Sequence, residues 1–323
     1  MSAILTRHLD GPAAWLGTDF EGDDSWRVPL TDADANAIHN ALAGLQSRGL
    51  STPCFGTSDF PIGDLAKRLA ALADELENGR GFAVLSGLPV ERYSDDELDT
   101  ITFGLGLHLG EPVGQNPAGD VIGRVMAVGD PAKKETRVFE TNLYLPYHTD
   151  PSDVVGLLCH RKAKQGGLSS LVSAASLHNA MLERHPEYLG LFYRHYPYAH
   201  MSLDGPLRTP LFHWHNGKLS CRYLRQYIEL GAEQMGQPLS AVEREAFDCF
   251  DALMAEPQRR LDMMLEPGDL QFANNYAVLH SRTAFEDHTD ETTRRRLLRL
   301  WLKMPNARLH GPDFPGRNGF PRR

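Results

Sequence analysis

In the stretch LPYHTDPSDVVGLLCH (145–160), His148 and Asp150 stand one residue apart, just ahead of a run of apolar and β-branched residues. Residues i and i+2 of an extended chain point the same way, so both side chains converge while Thr149 turns aside. One neutral imidazole and one carboxylate are two thirds of the 2-His-1-carboxylate set that holds non-haem Fe(II) with three adjacent positions open. An isolated HxD triplet is weak evidence, because a polar turn carries the same letters. With fourteen histidines in the chain, a third ligand has to be chosen by context. His280 ends the apolar run YAVLH, launched by the Gly-Asp turn of PGDLQFANN. An imidazole from a distant strand of a closed sheet suits the role; a core histidine is the bland reading.

The segment RRRLLRLWL (294–302) tips the balance. On a strand, Arg295, Leu297 and Arg299 share one face, which sets two guanidiniums inside a mostly apolar segment. A guanidinium buried without an anion is costly, and its fork geometry suits a carboxylate. Either protein acids pair with these arginines or a ligand carboxylate does. Two other histidine groups compete for attention. A second HTD, His288-Thr289-Asp290, lies in the charged run FEDHTDETTRRR, which reads as a solvated loop. His213 and His215 in FHWHNGK share a strand face, but no neighbouring carboxylate or arginine pattern marks them as ligands, so a sheet or pocket-lining role is the default.

The elements that must position these residues are partly legible. PIGDLAKRLAALADELENGRG predicts a helix with Leu65, Leu69, Leu72, Ala73 and Leu76 on its buried face, stopped by Asn78-Gly79. GFAVLSGLPV (81–90) reads as a buried strand closed by a Gly-Leu-Pro turn. Ser94 and Glu97 form a capping box for a second helix, and residues 174–193 and 239–258 also read as helical. The first sixty residues, rich in Asp, Gly and Pro, predict irregular structure with short helices. Short strands broken by Gly and Pro run from 110 to 145, and strands return in the last third. Without alternating βαβ order, this pattern favours an antiparallel sandwich or barrel.

Composition bounds the partners. A chain of 323 residues with 41% hydrophobic and 23% charged residues can bury one large core or two modest ones, and length alone does not choose between them. A net charge of −9 argues against nucleic acid or an anionic membrane as partner. Cys54, Cys159, Cys221 and Cys249 have no CxxC spacing, so reduced thiols are expected. With no leader pattern and no membrane-length apolar run, a cytoplasmic protein is the expectation. A homo-oligomer is compatible with all of this.

The series YHTD, GGLS, GDLQFANN…LHSR and RxLxR closely resembles the taurine dioxygenase (TauD/TfdA-like) family of Fe(II)/2-oxoglutarate-dependent oxygenases. The resemblance covers about 80–303 and is thin before 60, so one catalytic domain over 1–323 with a weakly defined N-terminal extension is expected. It implies a jelly roll (double-stranded β-helix), mainly β with helical additions. By motif match it implies iron on His148, Asp150 and His280, with 2-oxoglutarate and O2 as cosubstrates. Arg295 matches the arginine that grips the distal carboxylate of 2-oxoglutarate. Ser169 stands where a Thr commonly contacts the cosubstrate, and Arg299 matches a position near cosubstrate and primary substrate. The implied reaction is hydroxylation of an unactivated C–H bond of a small molecule, with release of succinate and CO2. Asp150 argues for hydroxylation, since related halogenases carry a small residue there; desaturation, epoxidation and rearrangement use the same ligands.

Asn142, Tyr144, Arg222 and Tyr223 are further candidates for the substrate pocket. With Arg299 they hint at an anionic or zwitterionic substrate, and the stretches 110–145 and 167–280 are the expected lids. Two rivals remain at this point. A zinc metallohydrolase gives Arg295 no evident role, and a non-catalytic jelly-roll binding protein leaves the coincidence of motifs unexplained.

Overall fold

A computed structural model of the chain describes residues 3–129, 140–199, 205–315 and 318–320. Two facing sheets carry the site. The larger contains β1 (Arg27–Pro29), β2 (Phe82–Ser86), β3 (Glu111–Pro112), β4 (Ile122–Val125), β6 (Val154–Arg161), β14 (Leu270–Asn274) and β17 (Arg296–Lys303). Its order is β1-β2-β14-β6-β17-β3, with β4 also paired to β17. The smaller, β13-β8-β15-β5, is built from β5 (Leu145–His148), β8 (Ser169–Ser173), β13 (Arg260–Met263) and β15 (Val278–Arg282). Three strand pairs complete the architecture: β7 (Gln165–Gly166) with β16 (Phe285–Glu286), β9 (His195–Tyr198) with β10 (Leu207–Pro210), and β11 (Phe212–His215) with β12 (Lys218–Cys221). This is the jelly roll that the family resemblance implies, and it agrees with the antiparallel sandwich or barrel favoured by the strand-rich, non-βαβ pattern.

Alternation along the strands assigns each residue to a layer. On β17, Leu298, Leu300 and Leu302 face outward into a core shared with α1 (Asp32–Ser47), α2 (Leu65–Asn78) and α3 (Asp95–Leu107). Leu297 and Trp301 face the other way, into the space between the sheets, beside Val155, Cys159, Leu171 and Ala273. The outer face of the smaller sheet presents Tyr147, Val172 and Leu279 to a third core. That core is closed by α4 (Ala174–Arg184), α5 (Pro186–Leu189), α6 (Arg225–Gln234), α7 (Ala241–Ala255) and β9 to β12.

The predicted helices over 61–79 and from Ser94 are present, the latter with the Ser94–Glu97 capping box formed. The region 174–193 is helical only in pieces. α4 ends at Arg184, Pro186 opens the single turn of α5, and a 3-10 turn spans Gly190–Tyr193. The first sixty residues depart from expectation, because α1 is a sixteen-residue helix. Its start is a reciprocal cap between Thr31 and Asp34, and Ile38, Ala41, Leu42 and Leu45 form its buried stripe. The Asp and Asn residues that look like loop formers here cap the helix or face solvent. Of the expected 110–145 lid, residues 130–139 lie outside the described residues.

Candidate active site

β5 and β15 are antiparallel neighbours, and their register sets His148 directly opposite His280. The two imidazole centroids are 4.2 Å apart, both rings buried and facing the space between the sheets. His148 donates its Nδ1–H to the carbonyl of Pro146 at 2.8 Å, which fixes the tautomer and leaves the Nε2 lone pair for a ligand. Asp150 is not placed by the pleat, because β5 ends at His148. A turn sets it instead: the Ser152 N–H donates to the Asp150 carbonyl at 2.9 Å, and the Asp150 N–H donates to Asn275 Oδ1 at 2.9 Å. Asn275 also donates to the Ser152 carbonyl and hydroxyl, so one buried amide holds the whole turn. On the other side, the Thr149 N–H donates to the Tyr223 carbonyl at 2.8 Å.

The Asp150 carboxylate then lies 3.8 Å from His280 Nε2, and one ligand atom from each of His148, Asp150 and His280 falls within 4.8 Å of the others. Among the described residues this is the cluster of His, Cys, Asp and Glu side chains able to hold a metal. Burial pushes the His148 pKa down against the pull of Asp150 and the Pro146 carbonyl. His280 is lowered to about 3, by burial first and by the adjacent His148 second. For Asp150, burial works toward a higher value, but Arg299, the two imidazoles and Trp301 outweigh it and hold the carboxyl below its usual range. Two neutral imidazoles and one ionised carboxylate are the protonation states a divalent metal requires, and the donor set is that of non-haem Fe(II). The residues fit the metal.

Two side chains of β17 hold the carboxylate. Trp301 donates its indole N–H to Asp150 Oδ2 at 3.0 Å, and Arg299 Nη1 stands 3.8 Å from Oδ1. Arg299 stacks over the Trp301 ring at 4.6 Å and donates its Nε–H to Gln115 Oε1 at 2.8 Å. Gln115 in turn donates to the carbonyls of Val121 and Arg299, which fixes its amide orientation. Arg295 lies just before β17, buried, with Nη1 lacking any acceptor among the described residues. Burial lowers its pKa to about 10, which still leaves it charged at neutral pH. Ser169 is on the inner face of β8 and donates its hydroxyl to Gln271 Oε1 at 2.7 Å.

The remaining sequence candidates fall elsewhere. Tyr144 is half-exposed and hydrogen-bonds Ser281, whose side chain leaves β15 on the face opposite His280. Asn142 is tied to the Phe285 backbone in both directions. Tyr223 sends its hydroxyl to Asp251 at 2.6 Å, in the helical layer, and only its backbone reaches the metal turn. Arg222 is buried against Phe314, where it donates to Thr209 Oγ1 and the Pro315 carbonyl. His213 accepts the Gly311 N–H at 3.0 Å and stacks on Phe314, a packing role, as sequence suggests. The sequence reading missed Asn275, Trp301 and Gln115. Only a periodicity argument for Trp301, two positions beyond Arg299 on the same face, could have found one of them.

Comparison with known proteins decides the family. The family model of the taurine catabolism dioxygenase TauD, TfdA family matches residues 47–301. The chain belongs to this family. It is an Fe(II)/2-oxoglutarate-dependent dioxygenase, and iron and 2-oxoglutarate are the cofactor and cosubstrate its site is built for. The chain is 33% identical to FR-33289 synthase of Streptomyces rubellomurinus over 95% of its length and 94% of that protein. It is 29% identical to the taurine hydroxylase-like protein SAT17 of Stachybotrys chartarum, over 92% and 80% of the two chains. Among solved structures, asparagine oxygenase with Fe(II), hydroxyasparagine and succinate superposes with a TM-score of 0.68 at 20% identity, covering 86% of this dioxygenase and 93% of that chain. The oxygenase OrfP with iron and α-ketoglutaric acid gives a TM-score of 0.62 at 16% identity, over 88% and 99%. At these identities the two structures speak for the shared fold. The four free cysteines agree with the expected reduced thiols, and no helix among the described residues is long and apolar enough to cross a membrane.

Proposed function

We propose that His148, Asp150 and His280 hold the iron, that Arg295 takes the distal carboxylate of 2-oxoglutarate, and that the primary substrate is a small anionic or zwitterionic molecule hydroxylated at an unactivated C–H bond. When bound, the metal and cosubstrate supply oxidative decarboxylation to succinate and CO2 coupled to attack on that bond. The chain's own work is positioning. The Pro146 carbonyl and the Asn275 amide orient His148 and Asp150, while Trp301 and Arg299 keep the carboxylate ionised. The walls of the space between the sheets are Leu171, Leu297, Val155 and Trp301, which exclude bulk water from the reacting atoms.

The observation that carries this reading is the triad, its two imidazoles buried, together with a guanidinium, Arg295, whose Nη1 has no acceptor among the described residues. A zinc hydrolase has no use for that charge. The names of asparagine oxygenase and OrfP, complexed with hydroxylated amino acids, point to zwitterions of similar size. One catalytic domain over the chain and a cytoplasmic location complete the proposal. The test is a screen of small anions and zwitterions for succinate release, with mass spectrometry of products. A product gaining one oxygen atom supports hydroxylation; loss of two hydrogens would replace it with desaturation.

A further inference from the structure

Arg282 lies two residues beyond His280 on β15 and therefore on the same inward face, directly across from Ser169 of β8. It is 5% exposed. Its Nη2 donates to the carbonyls of Thr141, at 3.0 Å, and Leu143, on the segment that leads into β5. Its Nε and Nη1 are buried and have no acceptor among the described residues. The Nη1 of Arg295 is in the same state, as is the Nε2 of Gln271, whose Oε1 is occupied by Ser169.

These donors belong together. The guanidinium carbons of Arg282 and Arg295 lie 4.7 and 5.1 Å from the centroid of one ring, Phe285, which bounds how far apart the two charges can be. No carboxylate forms an ion pair with either among the described residues. Asp287 acts on Arg295 through its charge; its Oδ1 accepts from the backbone N–H groups of Arg295 and His288, while its buried Oδ2 makes no hydrogen bond to either guanidinium. Burial lowers the Arg282 pKa to about 10, and repulsion from Arg295 adds to the effect. Two buried like charges with unsatisfied N–H groups are costly unless an anion completes them. A carboxylate, with two oxygens and about four acceptor sites, can serve two guanidiniums at once.

We propose that Arg282 is a second guanidinium of the subsite for the distal carboxylate of 2-oxoglutarate, acting with Arg295 and anchored through Nη2 to the segment that precedes the metal strand. This rests on the reading of Arg295 given above. Arg282 thereby links the cosubstrate's far end to the 141–143 backbone.

The test compares two 2-oxo acids on the Fe(II)-loaded protein without oxygen, followed by the visible charge-transfer band of the chelate. 2-Oxopentanoate has the same carbon chain as 2-oxoglutarate, with a methyl in place of the distal carboxylate. In Arg282→Gln, 2-oxoglutarate affinity is expected to fall about tenfold to a hundredfold, the loss of a charge-assisted bond, while affinity for 2-oxopentanoate changes by less than about twofold, since it lacks the group concerned. Arg282→Lys should recover part of the loss and serves in place of the Gln variant if thermal melting shows that variant unfolded. An equal loss for both acids would make Arg282 structural and overturn the inference, as would no loss for either. A wild-type protein that gives no band with 2-oxoglutarate would instead remove the reading of Arg295 on which this rests.

Discussion

The chain contains the letters HTD twice, at 148–150 and at 288–290, and among the described residues only the first joins a group of side chains able to hold a metal. In the first, the imidazole is buried opposite His280, and the carboxylate receives Trp301 and faces Arg299. In the second, Asp290 is exposed and spends Oδ1 on the N–H and hydroxyl of Thr292, capping a short 3-10 turn. His288 is held by its backbone: its N–H donates to Asp287, and its carbonyl accepts from Arg294. The letters are equal; the neighbours are not. A ligand pair therefore requires a strand end, an opposing strand and buried donors for the carboxylate, none of which resides in the triplet itself.

Substitutions can break or sharpen that contrast. The largest effect is expected from His148→Ala and Asp150→Ala, each of which should abolish Fe(II) retention and succinate formation, measured by metal analysis and by product assay. Next comes Arg295→Ala, which leaves the triad whole but removes a charge-assisted partner of roughly 1.5–3 kcal/mol, about tenfold to a hundredfold in the KM for 2-oxoglutarate. Trp301→Phe keeps the packing and deletes only the N–H on Asp150. Metal retention should weaken by about tenfold, for a hydrogen bond to a charged group near the low end of the same range, read by chelator competition. Asp290→Ala should leave iron binding and turnover unchanged and shift only the melting temperature slightly.

Acid offers a separate probe of the first region in the metal-free protein. The folded pKa of His280 is lowered from 6.5 to about 3, so the unfolded chain takes up a proton that the folded one refuses. Stability is then lost progressively as pH falls below about 6.5, where the unfolded histidine protonates. His280→Phe in the metal-free protein should flatten that slope in pH-dependent denaturant titrations.

How much of this could be read from residues alone follows the same line. The convergence of His148, Asp150 and His280, and the inward face shared by Arg295 and Arg299, are legible because strand alternation and motif order constrain them. The strand-rich pattern likewise points to an antiparallel sandwich or barrel, which the family resemblance narrows to the jelly roll. Apart from Trp301, which shares a strand face with Arg299, the supports are not legible, because they arrive from far along the chain. Asn275 meets Asp150 across 125 residues, Trp301 across 151, and Gln115 meets Arg299 across 184. No local pattern marks an amide as a clamp. Asn142 and Tyr144 illustrate the converse: nearness to the metal strand in sequence suggested the pocket, yet one pairs with the Phe285 backbone and the other lies on the outer face. The helix α1 escaped because its apolar stripe is diluted by Asp and Asn residues whose capping or solvent-facing role appears only once the helix exists.

The most direct measurement is an anaerobic titration of Fe(II) and 2-oxoglutarate into wild type, Asp150→Ala and Asp290→Ala, all checked for folding. Wild type and Asp290→Ala should both develop the visible charge-transfer band with one iron per chain, and Asp150→Ala should develop none. A band that survives in Asp150→Ala and vanishes in Asp290→Ala would contradict the assignment of the metal to the first HTD.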